Sequence, residues 1–389
     1  MRRFLFVVPL FFSASVFAHF SNVIVFGDSL SDNGNFPESS HIWWKPDGKK
    51  DVTNLVPQLY VPFSNPINIK LDNPYLAKQP LIENEKNPRA FRSISWSEYF
   101  LMSAKQKGLT TSHYIVPSNL LNSEKIPNTI SFNYAWGYAT SAQQCVNPKY
   151  KLIANCNADT IFSARKNYEE NPSTTNYLKI EVPGISQQVQ LFLNDYRNHK
   201  AMVDKNTLYI FWIGGNDLII AANALEHNAN PIPVVQFMMG NTVRHILKSV
   251  TLLLQHLPMN QRPAKIYIFT LFNPEFTPGF YNHGAIAAMG SFLVRCYNFW
   301  LRWDSKFYNL FSQTKIIIVP IDKIYQENAV NPAFKSQMGK ACQLNGHYPG
   351  NKSTKACEGF MFWNAVHPST QMNEIVAQQF QTILDLNNR

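Results

Sequence analysis

The sequence predicts an α/β protein: a three-layer αβα sandwich around a mainly parallel five-stranded sheet, with loop insertions beside its functional edge. Three observations carry this prediction. Short apolar runs rich in β-branched and aromatic residues recur at 22–27, 130–135, 207–213, 265–271 and 315–319. Stretches with apolar residues at helical spacing lie between them. Strand and helix in alternation bury their apolar faces as a parallel sheet covered on both sides.

Each element has a local reason. Val23-Ile24-Val25-Phe26 is continuously apolar, as suits a strand buried on both faces. Ile185, Val189, Phe192 and Tyr196 fall on one helical face after Pro183-Gly184, which interrupts the chain. Residues 234–257 and 284–312 extend the helical pattern further, and 369–386 form a last helix capped by Ser369 or Thr370. The alternation breaks twice. Residues 36–95 are rich in proline, from Pro37 to Pro88, and in aromatics such as Trp43, Trp44, Tyr60 and Phe63. A structureless loop of that length is unusual in a compact domain, so it is read as an insertion packed beside the site. Residues 145–181 are read as a second, irregular insertion.

The chain has 389 residues, 15% charged and 14% aromatic, which favours a packed core over disorder. Residues 1–18 read as a secretory signal peptide: Arg2 and Arg3, an apolar centre from Phe4 to Phe12, and a Val16-Phe17-Ala18 exit. Residues 19–389 then form a single domain, exported to the periplasm or beyond. No later stretch is long and apolar enough to span a bilayer. The net charge of +10 suits either attraction to anionic surfaces such as phospholipid headgroups or plain solubility. There is no dense Lys/Arg cluster, zinc finger or RNP-like motif, which argues against nucleic acid. No H-E-x-x-H, P-loop or EF-hand pattern occurs, so no metal or cofactor is implied.

Of the five cysteines, two pairs are close in sequence, and export makes disulfides Cys145–Cys156 and Cys342–Cys357 expected. Closing the second loop is worth about 3 kcal/mol on a chain-entropy model. Cys296 sits in an apolar helical pattern (Phe292, Leu293, Tyr297, Trp300) and reads as a buried free thiol. No histidine-bearing motif accompanies it to make it a nucleophile.

The chemistry-bearing residues begin with Phe26-Gly27-Asp28-Ser29-Leu30-Ser31-Asp32-Asn33-Gly34. A serine just past a buried strand stands at the carboxyl edge of the sheet, where ligands of such folds bind. Ser29 is a candidate nucleophile, and capping a following helix is compatible with that role. Acyl transfer also needs a base, a group to orient it, and donors for the oxyanion. Three further pieces follow: Asn133-Tyr134-Ala135-Trp136-Gly137-Tyr138-Ala139-Thr140, Trp212-Ile213-Gly214-Gly215-Asn216-Asp217, and Phe362-Trp363-Asn364-Ala365-Val366-His367-Pro368-Ser369.

In this order, from residue 22 to the end, the four pieces resemble blocks I, II, III and V of the SGNH (GDSL) hydrolases, which have a flavodoxin-like αβα fold. The resemblance implies Ser29 as nucleophile and His367 as general base. It implies an oxyanion hole made by the backbone N–H groups of Ser29 and Gly137 and the side-chain amide of Asn216. Tyr138 stands where members often carry a second glycine. Asn364 stands where the family has aspartate. An amide can orient the imidazole but supplies no charge, and this swap in serine proteases costs about 10⁴ in turnover. Three outcomes follow: a slow dyad, another acid such as Glu358 reaching His367, or a protein that binds without catalysing. Survival of the nucleophile, the base and both oxyanion residues favours retained activity.

Within the family the chain is similar to the exported bacterial phospholipase A, lysophospholipase and glycerophospholipid:cholesterol acyltransferase branch. The similarity rests on Gly27-Asp28-Ser29-Leu30-Ser31-Asp32-Asn33-Gly34-Asn35, on Pro320–Tyr325 before Asn331-Pro332, and on the Cys342–Cys357 loop ahead of the last block. It implies a secreted serine esterase acting on phospholipid or lysophospholipid at a membrane surface, with acyl transfer to water or an alcohol such as cholesterol. Other readings are a carbohydrate O-deacetylase or short-chain esterase, and, because of Asn364, a lipid-binding homologue with little or no activity. Trp43-Trp44 either grips an acyl chain or headgroup or packs the insertion on the body. Loop 343–356, with Gly346, Gly350, Lys352 and Lys355, is either cut by an activating protease or a surface staple.

Overall fold

The structure, a computed structural model, describes residues 19–36, 43–44, 50–51, 95–112, 114–118, 130–171, 173–342 and 359–387. Its central sheet contains β1 (Val23–Gly27), β2 (Tyr114–Pro117), β3 (Ile130–Asn133), β4 (Leu208–Trp212), β5 (Lys265–Phe269) and β6 (Lys315–Val319). The strands pair in the order β6-β5-β4-β1-β3-β2, all parallel. The sheet therefore has six strands where the sequence predicts five. The additional strand, β2, is a four-residue edge strand ending in Pro117. Proline is tolerated at an edge, and a run that short and that ended lacks the sequence signature of a strand.

Eight helices of eight or more residues complete the described layers. They are α1 (Trp96–Gln106), α2 (Ala158–Glu170), α3 (Ile185–Arg197), α4 (Gly215–Glu226), α5 (Val243–His256), α6 (Ala285–Phe311), α7 (Ile321–Ala329) and α8 (Thr370–Asn387). Alternation along the strands divides the core. Ile24, Phe26, Tyr209, Phe211, Ile266 and Ile268 face α3, α5 and α6. Val23, Val25, Ile210, Trp212, Tyr267 and Phe269 face the other layer, where Trp96 and Phe100 of α1 meet Phe380 of α8. The helix expected over 234–257 is met by a helical run from Pro231 to His256 whose segment Phe237–Thr242 is π-helical. Ser369 caps α8, its Oγ accepting the Met372 N–H at 3.2 Å.

The stretch 145–181 is ordered into regular elements, contrary to the irregular insertion expected. Cys145–Val146 and Leu152–Ile153 pair antiparallel, and the predicted disulfide joins Cys145 to Cys156 across 5.9 Å between Cα atoms. Helix α2 follows, capped by Asn157, whose side chain accepts the Thr160 N–H at 3.0 Å. Its buried positions are Ile161, Arg165 and Tyr168. The spacing is helical, but a charge fills the middle slot, which conceals the stripe from any count of apolar residues. Within 36–95, Trp43–Trp44 pairs antiparallel with Lys50–Asp51. The side chains of that pair, residues 1–18, Cys357, Glu358 and loop 343–356 lie outside the described residues. Cys342 is disulfide-bonded. Cys296 is a free thiol, half-buried rather than buried, because it sits at the margin of α6's inward face. Among the described residues no helix is long and apolar enough to cross a membrane.

One contact sets where the first strand releases the chain. A Cβ on Gly27 would lie 2.4 Å from the Trp212 carbonyl oxygen on β4, so only glycine lets the two strands close at this end. Gln188 of α3 clamps the same residue from above, accepting its N–H at 2.9 Å and donating to its carbonyl at 2.8 Å. Asp28 and Ser29 are the next residues out.

Candidate active site

Strand β1 is flanked by β3 and β4, so the loops that follow all three strands converge at one end of the sheet. This is the point where the strand order changes direction, the usual site of ligand binding in open α/β sheets. After Gly27 the chain turns tightly: the N–H groups of Ser31 and Asp32 donate to the Asp28 carbonyl at 3.0 and 2.9 Å. The Asp28 carboxylate accepts the Leu30 N–H at 3.0 Å. Burial pushes Asp28 up to about 7, and the nearby charge of Asp217 adds to the rise. The Ser29 N–H has no backbone acceptor among the described residues.

The carboxy-terminal block folds back onto this turn. His367 Nε2 lies 2.7 Å from Ser29 Oγ, and Nδ1 lies 3.1 Å from Asn364 Oδ1. The same Asn364 oxygen accepts the backbone N–H groups of Val366 at 3.1 Å and His367 at 2.9 Å. Those two main-chain donors fix which end of the amide is the oxygen. Nδ1 must then carry the imidazole proton, which leaves the Nε2 lone pair facing the Ser29 hydroxyl. Asn364 thus supplies the tautomer and the orientation that an aspartate would supply, but not its charge. Burial pushes the His367 imidazole down to about 4. The loop itself is anchored by Trp363 N–H to the His367 carbonyl and by Gly279 N–H to the Ala365 carbonyl, both at 2.8 Å.

The donor side is built by α4 and by the loop after β3. Gly214, at φ +116°, turns the chain from β4 into α4 and places Asn216 in its first turn. The buried Asn216 amide donates to the Ala139 carbonyl at 2.8 Å, and its Oδ1 accepts the Tyr150 hydroxyl at 2.9 Å. An amide nitrogen carries two hydrogens, so one remains for an oxyanion. Gly137 departs from expectation. Its N–H donates to Asp32 Oδ2 at 2.7 Å and is not a free oxyanion donor. The Asp32 carboxylate also accepts the N–H groups of Gly34, Asn35 and Phe36 at 2.7 to 2.9 Å, so it joins the serine loop to the loop after β3. Tyr138, the next residue, holds φ +65°, a left-handed conformation that favours glycine. The Tyr138 and Tyr177 hydroxyls meet at 2.6 Å, and the rings of Phe36 and Tyr150 pack beside Tyr138.

Three residues of this site have no role assigned from the sequence. Asp32 had a readable signal, since Asp before Asn-Gly accepts backbone N–H groups a few residues on. Arg165 of α2 donates to the Gly34 carbonyl at 3.2 Å and stands over the Trp136 ring, 5.9 Å from its centre. Tyr150 sits at the turn of the disulfide-closed hairpin and meets Asn216 across 66 residues, a pairing that no local pattern encodes. Tyr150 is a positioning residue for that amide. Tyr150→Phe is expected to lower kcat on a soluble ester about 5-fold with KM unchanged, since one charge-free hydrogen bond contributes about 1 kcal/mol. A KM effect without a kcat effect would assign Tyr150 to substrate binding instead.

A hydroxyl nucleophile, an imidazole held in the accepting tautomer and a side-chain amide donor at the mouth of a parallel sheet define a serine ester hydrolase arrangement. The chain belongs to the GDSL-like lipase/acylhydrolase family, whose model matches residues 23–380. Among solved structures it is similar to the lipase Lip_vut3 from a goat rumen metagenome. That likeness has 11% sequence identity, a TM-score of 0.36, and covers 93% of this chain and 96% of the lipase. No curated protein matches the sequence significantly. Among the described residues no group of three or more His, Cys, Asp and Glu is placed to hold a metal ion.

Proposed function

We propose that the protein is an exported phospholipase or lysophospholipase that works through an acyl-enzyme on Ser29. One observation carries the reading: the 2.7 Å contact between His367 Nε2 and Ser29 Oγ, with the tautomer set by Asn364. His367 Nε2 takes the Ser29 proton as Oγ bonds to the ester carbonyl carbon. The oxyanion is held by the Ser29 N–H and the free Asn216 amide hydrogen. His367 then returns the proton to the departing alkoxide. Water, or an alcohol such as cholesterol, repeats the sequence in reverse and frees Ser29. The signal-like residues 1–18 support export, and the net charge of +10, which is +8 without Arg2 and Arg3, supports work at anionic surfaces.

The test is product analysis on mixed diacyl and lysophospholipids, with and without cholesterol. Free fatty acid is expected from one or both phospholipid classes, and cholesteryl ester only if the alcohol competes with water. Turnover confined to acetyl esters, with no release from any phospholipid, would replace this reading with a short-chain esterase or O-deacetylase.

A further inference from the structure

Helix α6 runs from Ala285 to Phe311 and carries two faces of unusual character. One is buried: Leu293, Val294, Tyr297 and Leu301 pack on the sheet. The other should be polar on a helix at the surface. Instead it shows Phe292, Phe299, Trp303, Phe307, Leu310 and Phe311, exposed by 44% to 78%. Their spacing keeps them on one stripe, roughly 28 Å long at 1.5 Å per residue. Single exposed apolar side chains need no explanation, but a continuous ridge of aromatic rings does. Beside the ridge a groove of about 1280 Å³ lies between α5 and α6, walled by Leu247, Leu252, Phe292 and Trp300.

The charges around this face have one dominant sign. Arg295 and Lys306 flank the ridge on α6, and Arg244 and Lys248 are exposed on α5. Asp304 is the one carboxylate on the two helices. Aromatic rings that tolerate a half-wet position, ringed by Lys and Arg, match the interface of an anionic bilayer, where rings enter the headgroup boundary and cations meet phosphate. A protein partner of the same size would bring its own hydrogen-bonding groups, and the ridge offers few to meet them. The helix that carries the ridge is also tied to the catalytic loop. The Gly279 N–H holds the Ala365 carbonyl at 2.8 Å, and a Cβ on Gly290 would stand 3.1 Å from Pro274, so the segment leading into α6 is fixed to the loop bearing His367.

We propose that the α5–α6 face is a docking surface for anionic phospholipid bilayers, through the aromatic ridge of α6 and its basic flanks. It serves the lipolytic reading above, and binding is measured apart from turnover so that either can fail alone. The experiment is flotation of the full chain with vesicles of ether-linked phosphatidylglycerol or of ether-linked phosphatidylcholine, neither of which an esterase can consume. Wild type is expected to bind phosphatidylglycerol vesicles at least about 10-fold better than phosphatidylcholine vesicles at low salt, and to lose that preference at high salt. Phe299→Ser/Trp303→Ser/Phe307→Ser is expected to lower binding to both by at least about 10-fold, while turnover of a water-soluble short-chain ester stays at the wild-type level. Arg295→Glu/Lys306→Glu is expected to remove the phosphatidylglycerol preference alone, and it decides the matter if the triple variant misfolds. Absence of wild-type binding, wild-type binding by the triple variant, or an undiminished lipid preference in the charge variant would each overturn the proposal. So would a wild-type dimer in solution that the triple variant converts to monomer, which would make the ridge a contact between copies.

Discussion

Ser29→Ala is expected to lower turnover by about 10⁴ and to abolish covalent labelling by a fluorophosphonate. Two effects set the size of this loss. Removing the serine of an intact triad costs on the order of 10⁶ in turnover. This enzyme starts lower, because the side chain that orients its base, Asn364, is an uncharged amide and burial holds the imidazole near 4. A missing charge worth about two pKa units corresponds to about 100-fold, which leaves about 10⁴ to lose. His367→Ala is expected to cost the same, and the double variant no more than either single one, because the two side chains act as one unit across their 2.7 Å contact. Additive losses in the double variant, or labelling that survives in Ser29→Ala, would mean that the nucleophile is elsewhere.

Asn364→Asp is expected to raise turnover at pH 8 by about 10- to 100-fold. The substitution is isosteric, and a carboxylate would keep both backbone N–H bonds that Asn364 Oδ1 now accepts. The new feature is a negative charge 3.1 Å from His367 Nδ1. An opposite charge at that distance raises an imidazole by about one to three units. The pH profile follows with a defined sign. In the wild type the neutral imidazole persists down to about 4, so activity holds through mildly acidic pH and falls only below that. In the variant the acid limb moves upward, and activity is lost at a higher pH. Stability moves in the same sense. A histidine depressed in the fold binds its proton more readily when unfolded, so the wild type loses stability as pH falls from about 6.5 to about 4. The variant should lose less over that window. An unchanged rate together with an unmoved acid limb would show that another charged group already faces the ring.

The strands are legible in the sequence where both faces are buried. β1, β4 and β5 carry long apolar runs because helices cover them on each side. The pattern is weak at β2, which lies at an edge and ends in proline, and at α2, where Arg165 occupies an inward slot. Both cases have the same origin: an element anchored by tertiary contacts does not need a strong pattern of its own. The site divides similarly. Ser29, Asn216, Asn364 and His367 sit in compact strings whose residue types carry their chemistry. Gly137 shows the limit of such strings, since Asp32, a residue 105 positions away, takes its N–H.

What the chain determines alone is the order of its elements and the identity of its reactive groups, because periodicity and reactivity are properties of neighbouring residues. What folding alone decides is which polar groups are already engaged. Asp32 occupies the Gly137 N–H, Tyr150 holds the Asn216 amide, and Asn364 sets the His367 tautomer. A hydrogen bond depends on direction and distance in three dimensions, and a buried donor can serve a substrate only when no other part of the protein has claimed it.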